Sequence, residues 1–416
     1  MTTQAATSDL YPAEPQEVTR LAALPQVRSA FDWFRSQESK FARWQLEVAQ
    51  IAAPPFGEAA RAKWLAERFR EIGLSETHTD EAGNVFAVLS GGGGRYVSMS
   101  AHLDTVFPAN TPLSARQQGS RLYGPGVSDN GAGIVALLAI ASALRTAGIP
   151  HPLPFVFIGN VGEEGEGDLR GMRHVFSTPR WRDAIAYSVI VDGAGSDTVV
   201  AEALGSRRFE VVVRGPGGHS WSDFGVPNPI IVLARAIEIF RQTPLPVSPK
   251  TTFNIGVICG GTSVNSIPES ASMRVDLRSA SMAGIDRLER ALRQALSQAA
   301  ESESRAASHP TRRQQAVECE VVVIGNRPAG ELAPDARILK VIRAVDTHLQ
   351  NNAALQRAST DANIPLSLGR EAIAIGGGGS GGGAHTLQEW FDCDGRVLGL
   401  KRILLTMLAL SGAGES

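Results

Sequence analysis

Histidine and carboxylate residues recur in short polar clusters along this chain, each close behind an apolar run or before one. His102 and Asp104 stand in SAHLDTVFP, Asp129 in GPGVSDNGAG, Glu163 and Glu164 in IGNVGEEGEG, and Asp192 ends SVIVDG. Taken singly, a His or Asp at a strand end is ordinarily a structural residue with satisfied hydrogen bonds. Together they pose an electrostatic problem. Carboxylates crowded without a cation repel and raise one another's pKa, so several acids gathered with imidazole make sense mainly around metal. Imidazole plus carboxylate ligation suits zinc, and also manganese or cobalt.

The elements that must position these residues follow from periodicity. After a polar start, expected to fray, residues 27 to 53 and 59 to 73 have helix-like apolar spacing, with a stop at Ile72-Gly73-Leu74. Asn84 to Leu89, Tyr96 to Ala101, Phe155 to Asn160, Ala186 to Val191 and Ala372 to Ile375 are short, apolar and often β-branched, which predicts strands. Helical stretches alternate with them, and Gly131 to Gly148 is apolar nearly all round. The fold expected is therefore α/β, a mixed sheet covered by helices on both faces. In such sheets ligands gather at the carboxyl ends of the strands, where the clusters stand.

Residues 207 to 325 read differently. RFEVVVRG, a helix near Pro227 to Arg241, TTFNIGV, ASMRVDLRS, a helix near Gly284 to Ala300, and ECEVVVIG give the order β-α-β-β-α-β. That split βαβ, ferredoxin-like pattern can fold as an insertion, which predicts a discontinuous domain of residues 1–204 and 326–416 and an inserted one of 205–325. Gly91 to Gly94 and Gly376 to Gly383 look like flexible linkers on composition alone.

Composition narrows the partners. Forty Lys and Arg against 42 Asp and Glu leave a net charge of -2 over 416 residues, so no basic field draws the chain to nucleic acid or anionic membrane. The longest apolar run, Ile134 to Leu144, is too short to span a bilayer, and MTTQAATSDLYPAEPQEV lacks the layout of a secretion signal. Cys259, Cys319 and Cys393 are far apart, without C-x-x-C spacing, and read as reduced residues of a cytoplasmic protein.

The series SAHLDTVFP, SDNGAG, VGEEGEG, VDG, RGPGGHSW, VNSIPESASMRVDLR and GAHTLQEW resembles the motif series of the M20 metallopeptidases, over about residues 30 to 390. The resemblance implies a di-metal catalytic domain with an inserted dimerisation or lid domain. It implies that His102 and Asp192 hold one metal ion and Glu164 and His385 the other, with Asp129 bridging, most simply two zinc ions. Asp104 would orient His102, as an outer-shell carboxylate fixes an imidazole tautomer. Glu163 would be the general base. Adjacent glutamates can share one site only if the backbone turns there, as Gly162 and Gly165 permit. A cis peptide between Asp129 and Asn130 is implied as well.

In the inserted domain, His219 resembles the histidine that reaches a partner subunit's active site to stabilise the oxyanion, so a homodimer is implied. Asn265 and Arg278 match positions that bind substrate, Arg278 through a carboxylate. The TLQE after His385 makes Glu389 an outer-shell candidate. The resemblance points to hydrolysis of small peptides by a di- or tripeptidase, with N-acyl amino acid deacylation or a glutamate-type carboxypeptidase as alternatives. A non-catalytic metal-binding dimer is the alternative from another class.

Gly378 to Gly382 formally matches G-x-S-x-G, but the order of a later acid and histidine required of a serine hydrolase fails. His78, His151, His174, His309 and His348 lack comparable carboxylate context. There is no H-E-x-x-H and no Walker A motif.

Overall fold

The computed structural model describes residues 15–413 apart from 311, 313 and 314. The chain divides into two compact units, Leu204–Gly330 and the remainder on either side of it. Of the polar start, residues 1–14 lie outside the described residues, and Pro15–Ala23 is helical.

The larger unit is built on a mixed sheet. Its centre is a parallel set in the order Phe155–Asn160, Tyr96–His102, Ile185–Val191 and Glu371–Ile375. Val85–Leu89 flanks it antiparallel on one side and Thr198–Ala203 on the other. Parallel neighbours need crossovers, and the helix Gly131–Ala147 supplies the one between Tyr96–His102 and Phe155–Asn160. This helix is buried from Gly131 to Leu144, because helices Pro25–Ser36 and Glu38–Ala49 pack on it as well as the sheet. Phe86, Ile158, Met172, Phe176 and Trp181 form a separate core in which the helix Arg170–Ser177 takes part. The central strands are thus largely buried on both faces rather than alternating between core and water.

Two local readings change. The helical stretch expected over residues 27 to 53 is two helices, Pro25–Ser36 and Glu38–Ala49, preceded by Pro15–Ala23. The break at Leu24 (ψ 135°) follows from Pro25, which disfavours helical backbone in the residue before it; the break at Gln37 has no comparable signal. The glycine run 376–383 is not a linker. A Cβ on Gly376 would lie 2.4 Å from the Ala194 carbonyl oxygen, and one on Gly378 2.6 Å from that of Arg396. These glycines permit close backbone approach, and Ser380 lies exposed on the short strand Ser380–Gly382, not on a strand-to-helix elbow.

In the second unit the strands Thr251–Gly260, Ser270–Ser279, Gly205–Arg214 and Glu318–Arg327 form one antiparallel sheet in that order. Helices Pro229–Arg241 and Met282–Ala306 pack together and share a core with Phe209, Val211 and Val213. Chain order and strand order together are those of the ferredoxin-like split βαβ fold.

One contact in the larger unit links the fold to the polar clusters. Asn130 caps the helix Gly131–Ala147 by accepting from the Gly133 N–H (3.0 Å) and the Gly193 N–H (3.1 Å) while donating to the Val191 carbonyl (2.9 Å). A Cβ on Gly133 would fall 2.2 Å from Asn130 Oδ1 and 2.6 Å from the Val191 oxygen. Alanine gains about 0.5–1 kcal/mol over glycine inside a helix, but overpacking costs about 1–3 kcal/mol or more. Gly133→Ala is therefore expected to lower the unfolding free energy in urea, and an unchanged midpoint would refute the close-approach argument.

Candidate metal centre

The parallel strands end together, and their carboxyl ends carry the polar clusters. His102 is the last residue of its strand and pairs in register with Asn160. Asp192 follows Val191 and its N–H donates to the Ile375 carbonyl (3.0 Å). Glu163 and Glu164 follow Asn160 after a turn in which Gly162 and Gly165 have φ of 67° and 49°. The turn is fixed by Asp104, whose carboxylate accepts the N–H groups of Glu163 (2.9 Å) and Glu164 (2.7 Å). Donor atoms of His102, Glu163 and Glu164 consequently lie within 4.8 Å of one another. Asp129 sits directly before the capped helix, and its peptide bond to Asn130 is cis. His385 arrives from the loop after the glycine run, with φ 65°.

Asp129 stands between the two imidazoles. Its Oδ1 lies 3.0 Å from His102 Nε2 and its Oδ2 lies 3.1 Å from His385 Nε2. Each imidazole nitrogen faces a second carboxylate: Asp192 Oδ1 at 3.6 Å from His102, and Glu164 Oε1 at 2.9 Å from His385. A single N–H cannot serve two acceptors well. Donors held about 2.0–2.2 Å from one tetrahedral cation are themselves about 3.4 Å apart, so both donor groups fit a divalent ion. His102, Asp129 and Asp192 could hold one ion, and Asp129, Glu164 and His385 a second. The other nitrogen of His102 lies 3.1 Å from the Asp104 carbonyl and 3.7 Å from its carboxylate. Asp104 thus faces the imidazole mainly through its backbone, while its side chain gathers the glutamate turn.

The electrostatics of the cluster point the same way. Burial alone would keep His102 neutral, but the carboxylates of Asp104, Asp129 and Asp192 outweigh it and raise the imidazole pKa well above its ordinary value. His385 is raised to about 9, first by its hydrogen bond to Asp129 and also by Glu164, against burial. Asp129 is held below the usual carboxylate range because both imidazoles overcome the effect of burial. Glu164 is pushed up by burial. The carboxylates thus favour positive charge at both imidazoles.

The remaining candidates belong to the second unit. His219 ends the short strand Gly218–His219, which pairs with Ser266–Ile267, and its Nδ1 accepts the Trp221 N–H (3.2 Å), so the proton of the neutral ring sits on Nε2. Ser220 donates its N–H to the Asn265 carbonyl (3.0 Å). Arg278 Nε donates to Asp276 (2.6 Å). Two features of the larger unit escaped the sequence reading. Arg61 is fully buried and donates to the Ile51 carbonyl (2.8 Å) and the Leu103 carbonyl (3.0 Å); burial lowers its pKa to about 10, although Asp104 and Glu389 pull upward. Asp361, pushed up to about 7 by burial, accepts from Asn160 Nδ2 (2.6 Å). Arg61 sits on an amphipathic helix where arginine usually faces water, so no pattern marked it.

Comparison with known proteins adds the family. The model of peptidase family M20/M25/M40 matches residues 99–409. A probable carboxypeptidase of Aspergillus clavatus is 31% identical over 203 residues, 44% of this chain and 44% of that protein. The chain spans about half the length of the curated relatives it matches. Among solved structures, a tripeptidase from Staphylococcus aureus superposes with a TM-score of 0.73 at 20% identity, over 90% of this chain and 98% of the other. A dinuclear metal-binding peptidase of the M20 family from Bacillus subtilis superposes with a TM-score of 0.65 at 14% identity, over 91% and 99%.

At pH 8 the His385 imidazole of the metal-free protein, with a pKa of about 9, is protonated. A cation can bind its nitrogen only after that proton leaves. Zinc uptake at pH 8 is expected to release protons and to weaken as pH falls. Calorimetric titration in buffers of different ionisation enthalpy reads the release, and none at pH 8 would remove His385 from the donor set.

Proposed function

This chain belongs to peptidase family M20/M25/M40, and from that premise we propose that it hydrolyses small peptides with a pair of divalent metal ions, zinc first and manganese or cobalt as alternatives. The observation that carries the reading is the placement of one carboxylate, Asp129, between two imidazoles that each face a further acid. His102 and Asp192 would hold one ion, Glu164 and His385 the other, and Asp129 both. Such ions, when bound, polarise a scissile carbonyl and lower the pKa of the attacking water.

The chain's own residues supply the proton handling. Glu163 is buried beside Glu164 with its backbone pinned by Asp104, so its carboxylate can take the proton of the attacking water and deliver it to the leaving amine. His219, with its proton on Nε2, can donate a hydrogen bond to the developing oxyanion. We assign that task to a partner subunit's His219, and therefore propose a homodimer. The second unit offers a surface for it: the edge strand Thr251–Gly260 leaves Val257 and Ile258 exposed, and an unpaired apolar edge favours pairing with another chain. A cytoplasmic setting is part of the proposal and rests on the three free cysteines; among the described residues no helix is long and apolar enough to cross a membrane.

Within the class, a di- or tripeptidase is the first choice, on the surroundings GEEGEGDLRG and STDAN. Carboxypeptidase action is the second reading, favoured by the name of the Aspergillus clavatus relative. Asn265 would hydrogen-bond the substrate, and Arg278, whose side chain is 41% exposed, would grip its carboxylate.

A panel of di- and tripeptides, N-acetyl amino acids and C-terminal glutamate conjugates, assayed with added metal and with chelator, decides between these. Release of an N-terminal residue supports the first reading, and release of acetate or of a C-terminal residue replaces it. Glu163→Gln should abolish turnover while both metal ions still bind, and unchanged turnover would sink the assigned mechanism. His219→Ala should lower kcat by about 10²–10³-fold, the loss typical of one oxyanion donor; a wild-type rate would remove His219 from the reaction.

A further inference from the structure

Glu389 is almost completely buried, yet its carboxylate meets backbone rather than another charged side chain. Its Oε1 accepts the N–H groups of Ser128 (2.7 Å) and Asp129 (2.8 Å), and its Oε2 accepts that of Gly126 (2.7 Å). The clamped segment ends on Asp129, the residue placed between the two imidazoles. Gln45 holds the Val127 carbonyl of the same segment, so the N–H side depends on Glu389 and the carbonyl side on Gln45.

Glu389 lies four residues after His385 in the chain. The intervening loop is mostly exposed, and His385 itself adopts φ 65°, a conformation that a side chain rarely keeps unless its surroundings enforce it. Within the loop, Thr386 donates its N–H (3.1 Å) and its hydroxyl (2.7 Å) to the Gly383 carbonyl, Gln388 donates its N–H to the Thr386 hydroxyl (3.2 Å), and Glu389 donates its own to the Thr386 carbonyl (3.3 Å), while Gly382 pairs with Trp390 at the loop's base. The attachment of this loop to the Asp129 segment is at Glu389, whose carbonyl also accepts the Gly124 N–H (3.0 Å) where Trp390–Asp392 pairs with Arg121–Tyr123. One buried side chain thus fixes the root of the His385 loop and the Asp129 segment to each other.

We propose that Glu389 is a positioning residue that sets the separation of His385 and Asp129, and with it the affinity of the ion those two share with Glu164. The inference rests on the two-ion reading above. Glutamine at this position keeps the shape but offers one acceptor oxygen, and its amide would confront a backbone N–H with another donor. Loss of an outer-shell partner of a metal ligand typically weakens binding roughly 10- to 100-fold.

The test is zinc binding to the full chain, measured by competition with a chromogenic chelator, for wild type and Glu389→Gln. The wild type should bind two equivalents. The variant should bind the ion of His385 about 10- to 100-fold more weakly, and the ion of His102, which also depends on Asp129, no more tightly than wild type, with kcat restored by excess zinc and KM little changed. Two equivalents bound by the variant with wild-type affinity overturn the proposal. A wild type that binds no zinc, manganese or cobalt overturns the two-ion reading and the proposal with it. Should Glu389→Gln fail to fold, Glu389→Asp keeps the charge but falls one methylene short of the N–H groups. Weakening of the His385 ion in that variant, with or without weakening of the other, supports the role, and unchanged affinity overturns it.

Discussion

A carboxylate that presents one oxygen to each of two imidazoles, with further acids beyond them, leaves an excess of negative charge in a cluster that is buried at His102, Glu163 and Glu164 and open to water at His385. Coulomb repulsion between such groups grows as the dielectric falls, so the arrangement persists only with compensating positive charge. Protonation of His102 and His385, which the carboxylates favour, is one source of it. Divalent cations provide it better, and much of the surrounding structure can be understood as keeping the donors in place for them.

That surrounding structure works through the backbone. Asp104 holds the Glu163–Glu164 turn by two N–H groups, Glu389 holds the Asp129 segment by three, and Asn130 joins the start of the buried helix to the strand end beside Asp192. Arg61 lies within electrostatic reach of both clamping carboxylates and ties itself to carbonyls of Ile51 and Leu103. A buried cation between two buried anions reduces their mutual repulsion without taking either from its backbone partners. Glycines at 133, 376 and 378 complete the arrangement by letting main chains approach where a Cβ would collide. The donor atoms are therefore set by parts of the chain that have no donor role of their own.

The second unit contributes residues of a different kind. His219 ends a short paired strand and accepts the Trp221 N–H, which fixes its tautomer, with Trp221 itself almost wholly exposed. Exposed groups held in a defined geometry suit recognition of something outside the unit.

Much of this was legible in the residue order. Apolar runs with β-branched residues marked the central strands, the all-apolar stretch from Gly131 marked the buried helix, and the β-α-β-β-α-β order marked the inserted unit, because those signals are local and periodic. The acids and histidines behind the strands could be picked out for the same reason. The sequence could not show that Asp129 stands between His102 and His385, residues 27 and 256 positions away, since that distance is set by strand register and loop closure. Nor could it separate a glycine run that packs main chain on main chain from a linker of the same composition, or show that Asp104 spends its carboxylate on backbone N–H groups. Arg61 was invisible because burying a charge on a helix is unfavourable unless tertiary neighbours compensate it, and only the folded chain brings Asp104 and Glu389 near.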